Sequence, residues 1–398
     1  MTAPFRTPDF ASRTQTGVDA MPFVAIERDL ARAESLWRGL EQLNPGRLFQ
    51  RFDWVASWFA TQGRAQGASP VIAVGLAEGG GAMSLFPFSL RRRAGLSILG
   101  WPGDAHSSFN MPLVANSGPL FAERISTERF LRTVARAVRA DAFALINQPA
   151  VWDGAPHPFC DVGAVAAPDR AWERALIGGG EAMIARILNG DARKKLRSKE
   201  RKLAGLGGVR IWRAATQDEA FRALDAFFSQ KAARFRSQGL PNPFAEPGGE
   251  EFLRRAALMG IQSGQPAIAL HALSIGERIL AVFGGAEDDA RFSGMFTSFD
   301  DAPDVSKCSP GDVLLRHLVA GLSDRGVQSF DLGVGDARYK RAYCDVAIPM
   351  FDTYLGCTAS GVAAATIFKA RAAAKRIVKQ NSRLARLVQR FVRRSAEP

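Results

Sequence analysis

Two short segments, 309–312 and 331–343, concentrate the residue types that could do chemistry in this 398-residue chain. The first, Ser309-Pro310-Gly311-Asp312, precedes an apolar helical run from Val313 to Ser323. A serine cap with proline in the first turn starts a helix cleanly. The backbone amides at such a start, with the positive end of the helix dipole, suit a phosphate or pyrophosphate. Taken alone, the segment is first of all a helix start. The second reads Asp331-Leu332-Gly333-Val334-Gly335-Asp336-Ala337-Arg338-Tyr339-Lys340-Arg341. Its glycines let backbone approach a ligand closely. Lys340 offers a compact cation for a phosphate or a developing oxyanion. Asp331 or Asp336 could accept a proton from an incoming amine or hydroxyl, and Tyr339 or Tyr343 could give one to a leaving thiolate. The competing reading is a glycine turn carrying solvated charges.

The elements that must position these segments follow from periodicity and turn chemistry. Ala267–Ile275 and Arg278–Glu287 are apolar runs meeting at Gly276-Glu277, which predicts a hairpin. Arg291–Ser298 adds a third antiparallel strand, Gly311–Gly326 a helix, Ser329–Leu332 a strand and Asp345–Leu355 a closing strand. Ahead of them lie one long helical segment, Glu181–Gly205, a helix from a Thr216 cap to Gly239, and another over Glu250–Gly264. The first half alternates similarly: a helix over Leu30–Leu43, strands at Pro70–Ala77, Ala82–Arg91, Ser97–Trp101 and Met111–Val114, a helix at Glu123–Ala140, and a strand at Ala142–Gln148. Trp54 and Trp58 stand one turn apart on a helix opening near Asp53, where core packing is their plainest role. The expected fold is α/β, with two lobes, each a mixed, mostly antiparallel sheet flanked by helices. The expected divisions are a disordered lead over 1–20, lobes over 21–178 and 179–360, and a helical tail over 361–398.

Length alone favours two domains. A formal net charge of +13 would suggest nucleic acid, but it is unevenly placed. Ten basic residues and one acid fall between Lys369 and Pro398, a net of +9, which leaves +4 for the remainder. A second basic knot comprises Arg193, Lys194, Lys195, Arg197, Lys199, Arg201 and Lys202. Basic and aromatic residues do not interleave along the core, so specific nucleic-acid binding is disfavoured. Four cysteines and four histidines are scattered without ligand spacing, which predicts neither a metal site nor a disulfide framework and fits a reducing compartment. No signal-peptide layout and no apolar stretch of about 20 residues are present, so a cytoplasmic location is expected.

Ser309-Pro-Gly-x-x-Leu314-Leu315 followed by Asp331-x-Gly333-x-Gly335-Asp336-x-x-Tyr339-Lys340 resembles the GNAT-like acyltransferase family typified by the cellulose-biosynthesis protein CelD. The resemblance extends to Phe49-x-x-x-x-Trp54-x-x-x-Trp58 and to the basic helix before Gly207-Gly208-Val209, and covers roughly residues 23 to 356. That family is similar in turn to Fem-type aminoacyltransferases, which pair two GNAT-like lobes. The resemblance implies acyl transfer by the second lobe from acetyl-CoA or another acyl-CoA to an amine or hydroxyl, in exopolysaccharide or cellulose biosynthesis. It also places Lys340 near the transfer centre and Ser309, Pro310, Gly311 and Asp312 at the donor's phosphates. One departure is notable: Lys307-Cys308-Ser309-Pro310-Gly311-Asp312 stands where standard GNAT enzymes carry a glycine-richer pyrophosphate loop, so an acyl carrier protein or aminoacyl-tRNA stays open as donor. An accessory protein of polysaccharide assembly that keeps the fold without turnover is the alternative.

The tail alternates Ile377, Leu384, Leu387, Val388, Phe391 and Val392 with Lys375, Lys379, Arg383, Arg386, Arg390 and Arg393 in the pattern of a basic amphipathic helix. Two readings stay open for 366–394: peripheral contact with an anionic inner-membrane surface, or packing on the catalytic lobe or a partner.

Overall fold

The computed structural model describes residues 13–16, 23–115, 120–121 and 124–381. The chain forms two units, one from residues up to Arg170 together with the segment that begins at Ile348, the other from Ala171–Ala347. In the first lobe the chain runs β1 (Phe23–Glu27), α1 (Leu30–Gln42), α2 (Phe52–Trp58), β2 (Ser69–Leu76), β3 (Ala82–Arg93), β4 (Leu96–Gly100), α3 (Arg124–Val138) and β5 (Ala142–Pro149). Asp29 caps α1 by accepting from the Ala31 amide, and Ala33, Leu36, Trp37 and Leu40 give the helix its buried face. β2 and β3 pair antiparallel from Ser69↔Leu90 to Leu76↔Ala82, across a turn at Gly79-Gly80-Gly81. β4 and β5 run parallel through Ile98↔Ala142 and Leu99↔Phe143. Trp54 and Trp58 are fully buried, the core role expected of them.

In the second lobe come β6 (Ala171–Ala175), α4 (Gly180–Ile187), α5 (Gly190–Ala204), β7 (Val209–Arg213), α6 (Gln217–Ser237), α7 (Gly249–Leu258), β8 (Ala269–Ile275), β9 (Arg278–Glu287), β10 (Arg291–Phe299), α8 (Pro310–Asp324), β11 (Ser329–Val334) and α9 (Arg338–Tyr343). The sheet order is β7-β8-β9-β10-β11-β6, with a short edge strand at Val346–Ile348. The Gly276-Glu277 hairpin and the Thr216 cap both form as the sequence predicts. The single helix expected over Glu181–Gly205 is instead two. The chain is extended at Leu188 and Asn189, and the Asn189 side chain accepts from the Ala192 amide to start α5. A core of Leu273, Phe283, Phe292, Leu314, Leu318, Leu322 and Phe330 joins α8 to one face of the sheet.

The end of the chain departs most from expectation. Asp345–Leu355 was expected to close the second lobe, with 361–398 as a separate tail. Instead β12 (Met350–Gly356) pairs antiparallel with β5, through Tyr354↔Ala144 and Leu355↔Phe143, in the first lobe. α10 (Ala359–Gln380) packs on β12 through Ala365, Phe368 and Ala372 beside Tyr354. Every residue of β12 is buried, so the strand needs cover on both faces, and α10 supplies one of them. Arg13–Gln15, expected within a disordered lead, instead pair antiparallel with β1 through Thr14↔Val24, while the rest of the lead up to residue 20, apart from Thr16, and the tail positions Arg383 to Arg393 lie outside the described residues. Among the described residues no helix is long and apolar enough to cross a membrane.

Asp141 pins the start of α10. Its backbone oxygen accepts from the amides of Cys357 and Thr358, and its carboxylate accepts from Thr358 Oγ1 (2.8 Å) and the Ser97 amide (2.9 Å). Gly361 lies so close that an added Cβ would stand 1.8 Å from the Asp141 oxygen. Gly361→Ala should therefore lift the helix start. We expect a loss of about 1–3 kcal/mol in urea unfolding and faster proteolysis after residue 357. An unchanged midpoint would show that α10 is not held by this contact.

Candidate functional site

The second lobe contains a parallel strand pair that opens. β10 and β11 pair at Arg291↔Ser329, Phe292↔Phe330 and Ser293↔Asp331, after which β10 runs on to Phe299 and β11 to Val334. The two strands part beyond Ser293, leaving a wedge whose far end meets the start of α8. Phe299 closes β10 against that start: an added Cβ on Gly311 would meet its ring at 3.6 Å. On the other side, the Arg234 guanidinium stacks over Phe299 at 4.9 Å.

Asp331 sits at the point of parting and is fully buried. One carboxylate oxygen accepts from Ser293 Oγ (2.7 Å) and the Gly333 amide (2.8 Å), the other from Arg291 Nε (2.9 Å). Arg291 also donates to Glu173 on β6 (2.8 Å), so the cluster ties β6, β10 and β11 together. Burial pushes the Asp331 carboxyl above the usual carboxylate range, against the opposing pull of Arg291, Ser293 and Gly333. Both oxygens are engaged in holding strands, which makes Asp331 a positioning residue and not a base aimed at an acceptor.

Gly333 (φ 69°) and Gly335 (φ 118°) then turn the chain in the left-handed region, where glycine is required. Lys340, 8% exposed, reaches back and donates to the carbonyls of Val334 (2.8 Å) and Gly333 (3.3 Å). Its cation thus holds the loop from within. Asp336 lies half-exposed and pairs with Arg341 Nε at 3.2 Å, a surface ion pair. Tyr339 is exposed along one edge, and burial of its ring raises its hydroxyl pKa.

Tyr343 is placed differently. It is 4% exposed, and its Oη has no hydrogen-bond partner. Burial and then the Asp312 carboxylate raise its pKa, so it stays protonated, while Arg316 on α8 pulls the other way. Arg174 fixes the end of α9 by donating to the Tyr343 carbonyl (2.6 Å) and pairing with Asp345 (2.9 Å).

The helix start at 309–312 is not built as the sequence predicts. Pro310 is at the first helical turn, but Ser309 has φ 48° and makes no side-chain cap. Its hydroxyl accepts from Lys199 Nζ at 2.7 Å, so the basic helix α5 is anchored to the start of α8. Asp312 is exposed and Gly311 half-buried. One titratable residue was not found from sequence. Lys231 on α6 lies over the rings of Phe235 and Phe244, each 5.7 Å away, and burial, helped by Arg234, lowers its amine to about 8.

The first lobe has a related parallel pair in β4 and β5, but there the space is filled. Trp101, just past β4, lies 5.0 Å from Phe88 and 6.2 Å from Phe159 and donates to Gln148 at 3.3 Å. The strand pair that parts beside a polar cluster is that of the second lobe. Lys340→Met should cost about 1.5–3 kcal/mol, the value of hydrogen bonds from a charged donor. Denaturant unfolding would measure it, and an unchanged midpoint would mean that the two carbonyl tethers carry nothing.

Residues 190–341, from α5 to within α9, match the model of the acetyltransferase (GNAT) domain. A search of curated proteins finds no match. Among solved structures, this chain is similar to FemX at TM-score 0.57 and 8% identity, covering 84% of this chain and 98% of that one. It is also similar to a conserved protein of unknown function from Bacteroides thetaiotaomicron, at TM-score 0.52 and 11% identity, covering 83% and 99%. At such identities the likeness shows fold, and it extends over both lobes. Across both lobes the chain shares the fold of FemX, its second lobe carries a GNAT acetyltransferase domain, and by that domain the protein is an acyltransferase.

Proposed function

We propose that the second lobe transfers an acyl group from a thioester to an amine or hydroxyl. The observation that carries this reading is the parting of β10 and β11 beside the start of α8. A thin acyl-bearing arm fits between strands whose edge amides and carbonyls are released from pairing. Its phosphates would lie at Ser309, Pro310, Gly311 and Asp312, where Lys199 adds a cation and Asp312 opposes it. An acyl-CoA, acetyl-CoA included, is the simplest donor of this form. Work on an exopolysaccharide acceptor, as the CelD resemblance implies, is the acceptor class to test first.

In this reading the acceptor attacks the thioester carbon, the C–S bond breaks, and the departing thiolate needs a proton. Tyr343 would supply it. Its hydroxyl is buried, unpartnered and held protonated at neutral pH, as a general acid requires. Lys340 and Asp331 would act by holding the 333–337 loop and the strand parting. Lys231 would take the acceptor's proton, because burial lowers its amine to about 8 and leaves a minor but usable neutral fraction near physiological pH.

Tyr343→Phe should lower the rate of thiol release by about 10²–10⁴-fold while leaving donor affinity unchanged. A full rate in that variant would remove Tyr343 from the chemistry. A base must be neutral to act, so kcat/KM should rise with pH through about 8 and then level. Lys231→Met should abolish that rise, and an identical profile in the variant would exclude Lys231.

A further inference from the structure

Several arginines elsewhere on this protein are paired with carboxylates: Arg38 with Asp53, Arg91 with Asp104, Arg254 with Asp225 and Arg278 with Asp300 and Asp304. α5 concentrates basic residues that are not. It carries Arg193, Lys194, Lys195, Arg197, Lys199, Arg201 and Lys202 within ten residues, and among the described residues none of these makes an ion pair with a carboxylate. The one carboxylate in the middle of the knot, Glu200, is taken by α8, through His317 (2.8 Å) and Arg316 (3.4 Å). Arg193, Arg197 and Arg201 stand one turn apart, a like-charge arrangement that weakens a helix by a few tenths of a kcal/mol per pair. The helix is nevertheless firmly seated, by Leu196 and Leu203 in the core and by Lys199 on Ser309.

Beside the exposed face runs a groove of about 410 Å³, lined by Lys194, Arg197, Glu200, Arg201 and Ala204. Its lining contains no aromatic ring on which a base could stack, which counts against a nucleic acid. It presents instead a row of long cations over about 10 Å of one rigid helix, complementary to the carboxylates of an acidic helix. The Lys199–Ser309 bond sets this row beside the helix start where the donor's phosphates would rest.

We propose that α5 is the docking helix for a small acidic carrier protein that delivers its acyl group on a phosphopantetheine arm. The proposal rests on the thioester reading of the wedge, and it names what stands at the outer end of the arm. Lys194, Arg197 and Arg201 engage carboxylates on the carrier, while Lys199 and the start of α8 meet the phosphodiester that joins arm to carrier. No bond is made or broken at α5.

The test uses the full-length protein and a fluorescently labelled holo acyl carrier protein, followed by anisotropy at low and high salt. Binding should weaken about tenfold or more in Arg197→Glu/Arg201→Glu, and also as salt screens the contact. Affinity for CoA, measured by calorimetry, should stay the same, because neither substituted residue meets the phosphates. Failure of the carrier to bind, or binding indifferent to charge reversal, overturns the proposal. So does a short single-stranded RNA that binds α5 in preference to the carrier. The two readings fail separately. Charge-dependent docking without acyl release sinks the transferase mechanism alone, whereas transfer from acyl-CoA without carrier binding sinks the docking helix alone.

Discussion

The carboxylate of Asp331 and the guanidinium of Arg291 meet where two parallel strands stop pairing, and the geometry of the second lobe depends on that meeting. A buried ion pair is a weak source of net stability, yet losing one partner is costly because the other charge is stranded. Here the pair is saturated by Ser293, the Gly333 amide and Glu173, so strand separation begins at a fixed residue. The amide of Gly333 is held by Asp331 and its carbonyl by Lys340. The loop after β11 is thereby set from both sides before any ligand arrives, which is the preorganisation that positioning catalysis needs.

The first lobe shows what happens to a similar parallel pair without such a polar wedge. Trp101 and Phe159 enter its core beside Phe86 and Phe88, and the space becomes ordinary aromatic packing. Close-packed interiors leave no room for an arm. The parallel pair of the first lobe is thus covered by aromatic packing, whereas that of the second ends at a polar cluster.

Local features were legible in the sequence and distant ones were not. The Gly276-Glu277 hairpin, the Thr216 cap and the buried tryptophans each depend on neighbours a few residues away, and each formed as read. Asp331 looked like an available base because its partners lie 40 residues upstream, at Arg291, and 38 upstream, at Ser293. Ser309 looked like a helix cap because serine usually is one. Its hydroxyl is claimed by Lys199, 110 residues away, and the residue adopts a left-handed turn instead. Tyr343 was legible only as one of two tyrosines near the second segment, and Lys231 not at all, since burial without a partner, or against aromatic rings, has no local signature. β12 was misassigned for the same reason. Its apolar run is plain, but its pairing strand β5 lies some two hundred residues earlier.

That long-range pairing has a consequence for how the chain comes to exist. The first lobe is interrupted: β5 waits for β12, and between them lies the whole second lobe, Ala171–Ala347. During synthesis at about 5–20 residues per second, the edge of β5 would stay unpaired for roughly ten to forty seconds after it leaves the ribosome. The second lobe can fold in that interval. Biogenesis is therefore nested, with the lobe that begins first finished last. An open sheet edge of that duration is an invitation to aggregation or chaperone capture, ended only when the last strand and its covering helix arrive.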